Sequence, residues 1–196
     1  MKNQDNYIAH LDSAFATHEQ LPREFSVSFN EVPDSIKPQV KVLFNDQQLG
    51  DIINDNSFVN DYYRYHDIFH YTFATLLGWS PCARAMMKKK RKSDPIIDEI
   101  EDGARATITE EAVSLIIFNE ARKKNFFERK TKVSKVTLRI IKEMTDSFEV
   151  NVRTEKEWEK AILSSYKIFR QLIKYNGGKV LFNMNSKQID FIPLIN

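Results

Sequence analysis

The stretch Asn60-Asp-Tyr-Tyr-Arg-Tyr-His-Asp-Ile-Phe-His-Tyr-Thr-Phe-Ala-Thr-Leu-Leu-Gly78 carries the pattern on which the fold turns. Tyr62, Phe69, Phe73 and Leu76 recur at helical spacing, Asn60 or Asp61 offers an N-cap, and Gly78 offers a stop. These signals predict one helix from about residue 60 to Leu77. His66 falls on the same stripe and His70 borders it, with Asp67 three residues before His70. Residues four apart on a helix face the same way, so this set can hold one metal ion or position an acid–base group. A pair of solvated histidines is the plain rival, but a histidine turned inward needs a partner.

Further along, Ser80-Pro81 restarts the chain with a cap and a proline at the first helical position. That short helix runs into Lys88-Lys-Lys-Arg-Lys92, and Asp94-Pro95 is expected to open the longest helix, reaching about Lys124. Its expected apolar stripe is Ile97, Ala104, Ile108 and Leu115, and Glu101 and Glu111 share that register. A carboxylate on a core stripe is costly unless it is paired or bound to metal. Asp98, Asp102 and Arg105 form the adjacent row. A solvated acidic face accounts well for Glu99 and Glu110, and poorly for Glu101 and Glu111. Gly103 costs about 1 kcal/mol inside a helix, which points to close approach of another element.

The flanks supply strands. Phe25–Phe29 alternates apolar and polar, and Val40–Phe44 follows with Asn45-Asp46 as its turn. Lys179–Phe182 and Gln188–Ile192 form a C-terminal hairpin. Residues 3–18 read as an amphipathic helix with Tyr7, Ile8, Leu11 and Phe15 on one side. Residues 133–146 read as a helix striped by Val133, Val136, Ile140 and Met144. Thr154 and Glu157 form a capping box for a helix striped by Trp158, Ile162, Ser165, Phe169 and Leu172, ending before Gly177-Gly178. The expected fold class is α+β: a mainly helical body with a small antiparallel sheet built from N-terminal strands and a C-terminal hairpin. One domain over residues 1–196 is expected, with residues 1–22 as a helical extension and residues 59–124 as the core of the site.

Composition sets the outer bounds. The chain has 196 residues, 42% apolar and 29% charged, with a net charge of +2. That is globular composition, and the small net charge makes a nucleic-acid partner the least favoured. No apolar run suffices for a transmembrane helix, and no secretory leader is expected at the N-terminus. A single cysteine, Cys82, excludes a disulfide framework and a cysteine-based zinc site, and is expected to pack rather than react. A cytoplasmic location is expected. His10 and His18 are expected to be exposed.

Several strings together resemble a known family. They are Leu49-Gly-Asp51, Asp55-Asn56, Tyr63–His70, Leu77-Gly-Trp-Ser-Pro81, Lys90–Pro95, Asp98–Ala106 and Glu110-Glu111. In the tail they are Phe148-Glu-Val150, Val152-Arg-Thr154, Glu157-Trp158, Ala161-Ile162, Phe169–Leu172 and Gly177-Gly178. From about Phe25 onward the chain looks like the MazG-like C-terminal domain, which occurs attached to MazG-type nucleotide pyrophosphohydrolases. It is expected to stand alone, without a MazG catalytic domain before it. The resemblance implies a nucleotide-linked role, in nucleotide-pool control or phage defence. The MazG catalytic pattern pairs acidic residues three apart on two helices. Asp67 and His70 would stand in the first pair and Glu99 and Asp102 in the second, with histidine departing from glutamate.

The resulting expectation is a divalent-metal-dependent hydrolase of nucleotide phosphates. His66, Asp67, His70, Glu101, Asp102 and Glu111 would hold the ion, Mg²⁺ or Mn²⁺ first and Zn²⁺ or Fe²⁺ next. Glu111, Asp67 and Arg105 would be catalytic, with Glu111 as general base. Lys90, Arg91, Lys92 and Arg105 would hold phosphate oxygens. The rival expectation is a non-catalytic nucleotide-sensing module that regulates a MazG-type enzyme or a defence effector. A homo-oligomer or a MazG-type partner protein is expected in either case.

Overall fold

The structure is a computed structural model that describes residues 10–33, 36–49 and 51–194. Six strands form one antiparallel sheet: β1 (Glu24–Glu31), β2 (Gln39–Phe44), β3 (Gln47–Gln48), β4 (Ile53–Asn54), β5 (Gly177–Asn183) and β6 (Gln188–Ile192). The order is β3-β2-β1-β5-β6, with β4 also paired to β2. The helices are α1 (Asp67–Leu77), α2 (Pro81–Met86), α3 (Pro95–Ile100), α4 (Ala104–Arg122), α5 (Lys135–Met144) and α6 (Glu155–Tyr175). The chain is therefore α+β, with a helical body and a sheet drawn from both ends, as its strand and helix periodicities predict.

β1 is central. Val27 lies opposite Phe44 on β2 and opposite Val180 on β5. Phe25, Val27 and Phe29 point to one face with Val40, Val42, Val180 and Phe182, and all seven are buried. α1 and α6 cover that face and pack on each other. Every residue of α1 is buried, while α6 buries its expected stripe through Leu172. Phe69 stacks on Phe169 at 5.7 Å between ring centroids, and Phe73 meets Trp158 edge-on at 5.3 Å. Burying each such ring stabilises the fold by about 1.5–3 kcal/mol. At its end Asn176 turns left-handed and Gly177 follows at φ 117°, where a Cβ would lie 2.2 Å from the Phe29 carbonyl oxygen.

The caps behave as their sequence predicts. The Ser80 hydroxyl accepts from the Ala83 N–H, the Asp94 carboxylate from Ile96 and Ile97, and Thr154 with Glu157 completes a capping box. Asn45 and Asp46 make the β2–β3 turn at positive φ.

Four expectations fail, each for a local reason. α1 does not begin near residue 60. Tyr62 is left-handed at φ 68°, and Tyr63–Tyr65 is a 3₁₀ turn. Asp55 draws the Arg64 backbone N–H and guanidinium to itself, and this diverts the chain from a helical path. The long helix is broken at residues 101–103, leaving α3 and α4 as separate pieces. The break resets the phase of α4. Its buried face is Ala106, Glu110, Val113, Ser114, Ile117, Phe118 and Ala121, whereas Ile108 and Leu115 face outward. α5 likewise buries Thr137, Leu138 and Ile141 and leaves Val136 exposed. Residues 10–20 form turns, not a helix; Tyr7 and Ile8 lie outside the described residues.

Gly103 sits at the break, where a Cβ would lie 2.0 Å from the Glu99 carbonyl oxygen. The close approach is to the end of α3. In a continuous helix Gly103→Ala would stabilise by about 1 kcal/mol. Here it is expected to destabilise by about 1–3 kcal/mol. Urea denaturation of the variant reads the sign directly, and a gain in stability would mean that α3 and α4 are one helix.

Candidate metal centre

Three helices meet at Glu110, whose side chain is fully buried. Its Oε1 accepts from the Ser80 hydroxyl at 2.6 Å and lies 2.9 Å from His70 Nδ1. Its Oε2 accepts from the Cys82 N–H at 2.9 Å. The carboxylate thus caps the start of α2 and fixes the His70 ring. Such an acceptor behind a histidine is what orients a metal-ligating imidazole, because it fixes the proton on the rear nitrogen.

The two histidines can be assigned by elimination. His66 Nδ1 is 3.0 Å from the Tyr63 carbonyl oxygen, which can only accept, so Nδ1 carries a proton. Burial lowers the His66 pKa despite the opposing pull of Asp67, so near neutral pH the ring is neutral and its Nε2 is a bare lone pair. That lone pair faces Asp67 Oδ1 at 3.3 Å. His70 Nδ1 is committed to Glu110, and its Nε2 faces Glu111 Oε1 at 3.3 Å without a hydrogen bond of good geometry. At His66 two acceptors face each other, an arrangement that a cation between them would stabilise; at His70 a ring proton already meets Glu111. The ligand atoms of His66, Asp67 and His70 all lie within 4.8 Å of one another, close enough for one ion.

The surroundings support that reading. Burial disfavours an imidazolium at His70, but the Glu110 charge overrides it and the ring is held well above its ordinary range. Either a proton or a metal ion therefore sits at Nε2. Burial alone would raise Glu111, but contact with His70 outweighs it and holds the carboxyl at about 2. Desolvation and then Glu110 push the Cys82 thiol up to about 12, so it is a neutral packing group although it lies 3.7 Å from Glu111 Oε1. Tyr63 stacks flat on His66 at 4.3 Å, and desolvation with Glu111 pushes its phenol up to about 12. Glu111 is 43% exposed, and the site opens to solvent on its side.

Of the residues expected at the site, the fold brings together His66, Asp67, His70 and Glu111. It takes Glu101 and Asp102 elsewhere. Asp102 is fully buried and accepts from Arg91 through its backbone N–H, Nε and Nη2, with Arg84 Nε 3.6 Å away. Arg84 also binds Asp12, and Arg91 also binds Glu149, so Arg91 ties elements together and is no free phosphate ligand. Lys90 and Lys92 line a separate cavity with His18 and Glu19. Arg105 is exposed, as is Glu99. The spacing-based pair of Glu99 with Asp102 is therefore not formed. Sequence reasoning missed Glu110, Ser80 and Tyr63. Glu110 was legible in its row with Ala106, Val113, Ile117 and Ala121, had that row and not Ile108 with Leu115 been taken as the core stripe. His18 is exposed as expected, whereas His10 is half-buried and pairs with Asn185.

Comparison with known proteins identifies the family. The MazG C-terminal domain model matches residues 6–195, nearly the whole chain, and the chain belongs to that family. No curated protein and no solved structure matches. No described helix is long and apolar enough to cross a membrane.

Two outcomes test this partition of charges. Glu110→Ala removes the shared acceptor of three buried donors and is expected to cost about 3–5 kcal/mol in denaturant unfolding. Glu101 is raised from 4.5 to about 7 by desolvation and then by Glu149. Its folded pKa lies above its unfolded one, so its contribution is complete below pH 4.5 and is lost as pH rises to about 7. Thermal melts should show that loss in the wild type, and Glu101→Gln should flatten it.

Proposed function

We propose that this member of the MazG C-terminal domain family is a divalent-metal-dependent hydrolase of nucleotide phosphates, with its ion held by His66, Asp67, His70 and Glu111. The observation that carries the reading is the bare Nε2 of His66 against Asp67 at 3.3 Å, with the His70 ring and its Glu111 partner beside it. The nucleotide link rests on the family, whose domain is associated with MazG-type pyrophosphohydrolases. Two nitrogen and two carboxylate donors favour Mn²⁺, Zn²⁺ or Fe²⁺ over Mg²⁺, which prefers an all-oxygen shell.

A bound ion would supply a polarised phosphoryl oxygen and a water of lowered pKa. The chain does the rest. His66 and His70 present Nε2 because their rear nitrogens are engaged by the Tyr63 carbonyl and by Glu110. Asp67 and Glu111 hold negative charge against the cation. In hydrolysis the water oxygen bonds to phosphorus as the bond to the leaving phosphate oxygen breaks. Glu111, held at about 2, is too weak a base to take the water proton, which passes to solvent at the open rim. Glu110 does not touch substrate; it positions His70. Tyr63 shields one side of His66 from water.

One observation favours the second reading, a nucleotide-sensing module without turnover that regulates a MazG-type partner. The cations expected to hold phosphate, Lys90 and Lys92, line another cavity, and Arg91 is committed to Asp102. Metal analysis by inductively coupled plasma mass spectrometry distinguishes the cases. Wild type loaded with Mn²⁺ or Zn²⁺ should retain about one ion per chain. His66→Ala should lose it while keeping its helical circular dichroism. A nucleotide screen on the loaded protein should then show phosphate release that falls at least about 100-fold in His66→Ala. Metal binding with no turnover selects the sensing module, and absence of metal in both proteins overturns the metal centre.

A further inference from the structure

At the opposite end of α1, about 15 Å from Asp67 by helical rise, lies a cavity of about 410 Å³. Its lining is basic and comes from distant parts of the chain: Arg153 before α6, Lys160 on α6 and Lys187 in the β5–β6 turn, with His10 beside them. Glu157 is the one carboxylate in that lining. With three cations and one carboxylate the lining carries an excess of positive charge.

The cations differ in how firmly they are held. Arg153 is buried; its Nε donates to the Leu77 carbonyl oxygen at 2.7 Å, and its Nη1 lies 3.4 Å from Glu157 Oε1. The guanidinium is thus a fixed wall. Glu157 pairs with Arg153 through Oε1 and takes the Thr154 N–H and hydroxyl on Oε2, so the positive charge left over in the lining is that of Lys160 and Lys187. Lys160 and Lys187 form no hydrogen bond or ion pair among the described residues and are free to close on a ligand. Partial desolvation, then repulsion from Arg153 and Lys160, lowers the Lys187 pKa against the pull of Glu157, so the charges do sense one another. Gly78 leaves the floor open: a Cβ there would already come within 3.5 Å of Arg153 Nη2.

We propose that this cavity is a second, metal-independent binding site for a small phosphate-bearing anion. Arg153, anchored through Nε and Nη1, offers its Nη2 to a phosphate oxygen, and Lys160 with Lys187 closes over the remaining charge. The volume admits an inorganic phosphate or a phosphomonoester up to about the size of a nucleoside monophosphate. The site stands on its own geometry and does not depend on the metal centre.

The test uses the full chain, stripped of metal with a chelator and held at constant ionic strength. Inorganic phosphate and a nucleoside monophosphate are titrated separately by isothermal calorimetry. Saturable binding of either ligand is expected in the wild type, weakened at least about tenfold in Lys160→Ala/Lys187→Ala. Both lysines are exposed, so the double variant should melt like the wild type without ligand. Tighter binding of the monophosphate assigns a nucleotide; equal binding assigns the phosphate group alone. His66→Ala should bind as the wild type does, which separates failure here from failure at the metal centre. No saturation, or binding lost in Lys90→Ala/Lys92→Ala and kept in the Lys160/Lys187 variant, overturns the proposal.

Discussion

One buried carboxylate holds α1, α2 and α4 together. Glu110 receives protons from a hydroxyl, a backbone amide and an imidazole, contributed by the start of α2 and by α1. None of the three donors has water available in its place, so each would be costly to leave unpaired. The same contact that caps α2 also sets the angle of His70, so helix packing and the orientation of that ring are a single constraint. It also explains why α4 must present Glu110 inward and Glu111 outward. The neighbouring carboxylate falls at the edge of the packed surface, where solvent and the His70 ring both reach it.

The two clusters of buried charge in this molecule use the same residue types to different ends. Around Asp102, two arginines satisfy the carboxylate, and Asp12, Glu19 and Glu149 tie the residue 10–20 turns and the segment before α6 to the loop of lysines. Every strong donor there has an acceptor. Around His66 one contact is left over: its Nε2 lone pair faces Asp67 with no donor between them, while His70 meets Glu111. Saturation, and not composition, separates a structural ion network from a site.

This difference also explains what could be read from the residues. Period-two alternation and capping signals are local, so β1, β2, the hairpin, the Ser80 and Asp94 caps and the α6 stripe were all legible. His66, Asp67 and His70 were legible because their spacing needs only a helical turn, whereas Glu111 was reached through the Ile108 and Leu115 register that α4 does not bury. The break at Gly103 was not, since it depends on Asp102 being drawn to Arg91 and on the approach of Glu99. Once the break is missed, the phase of α4 slips. Glu110 then trades places with Ile108 and Leu115, and Glu101 and Asp102 are carried into a site they never reach. The left-handed turn at Tyr62 was hidden for the same reason, because the partners of Arg64 lie on a loop and on β1.

The pairing of β1 with β5 sets an order of events for the chain as it is made. Val27 finds its neighbour Val180 more than 150 positions later, so the sheet closes only when the last strands emerge. The residues around His70 and Glu110 lie within a 50-residue span and can meet much earlier. Until then Phe25, Val27 and Phe29 remain an uncovered apolar edge, the kind of surface that chaperones hold and that misassembles when synthesis stalls. A ribosome paused before residue 177 would thus carry an assembled centre beside an unfinished sheet.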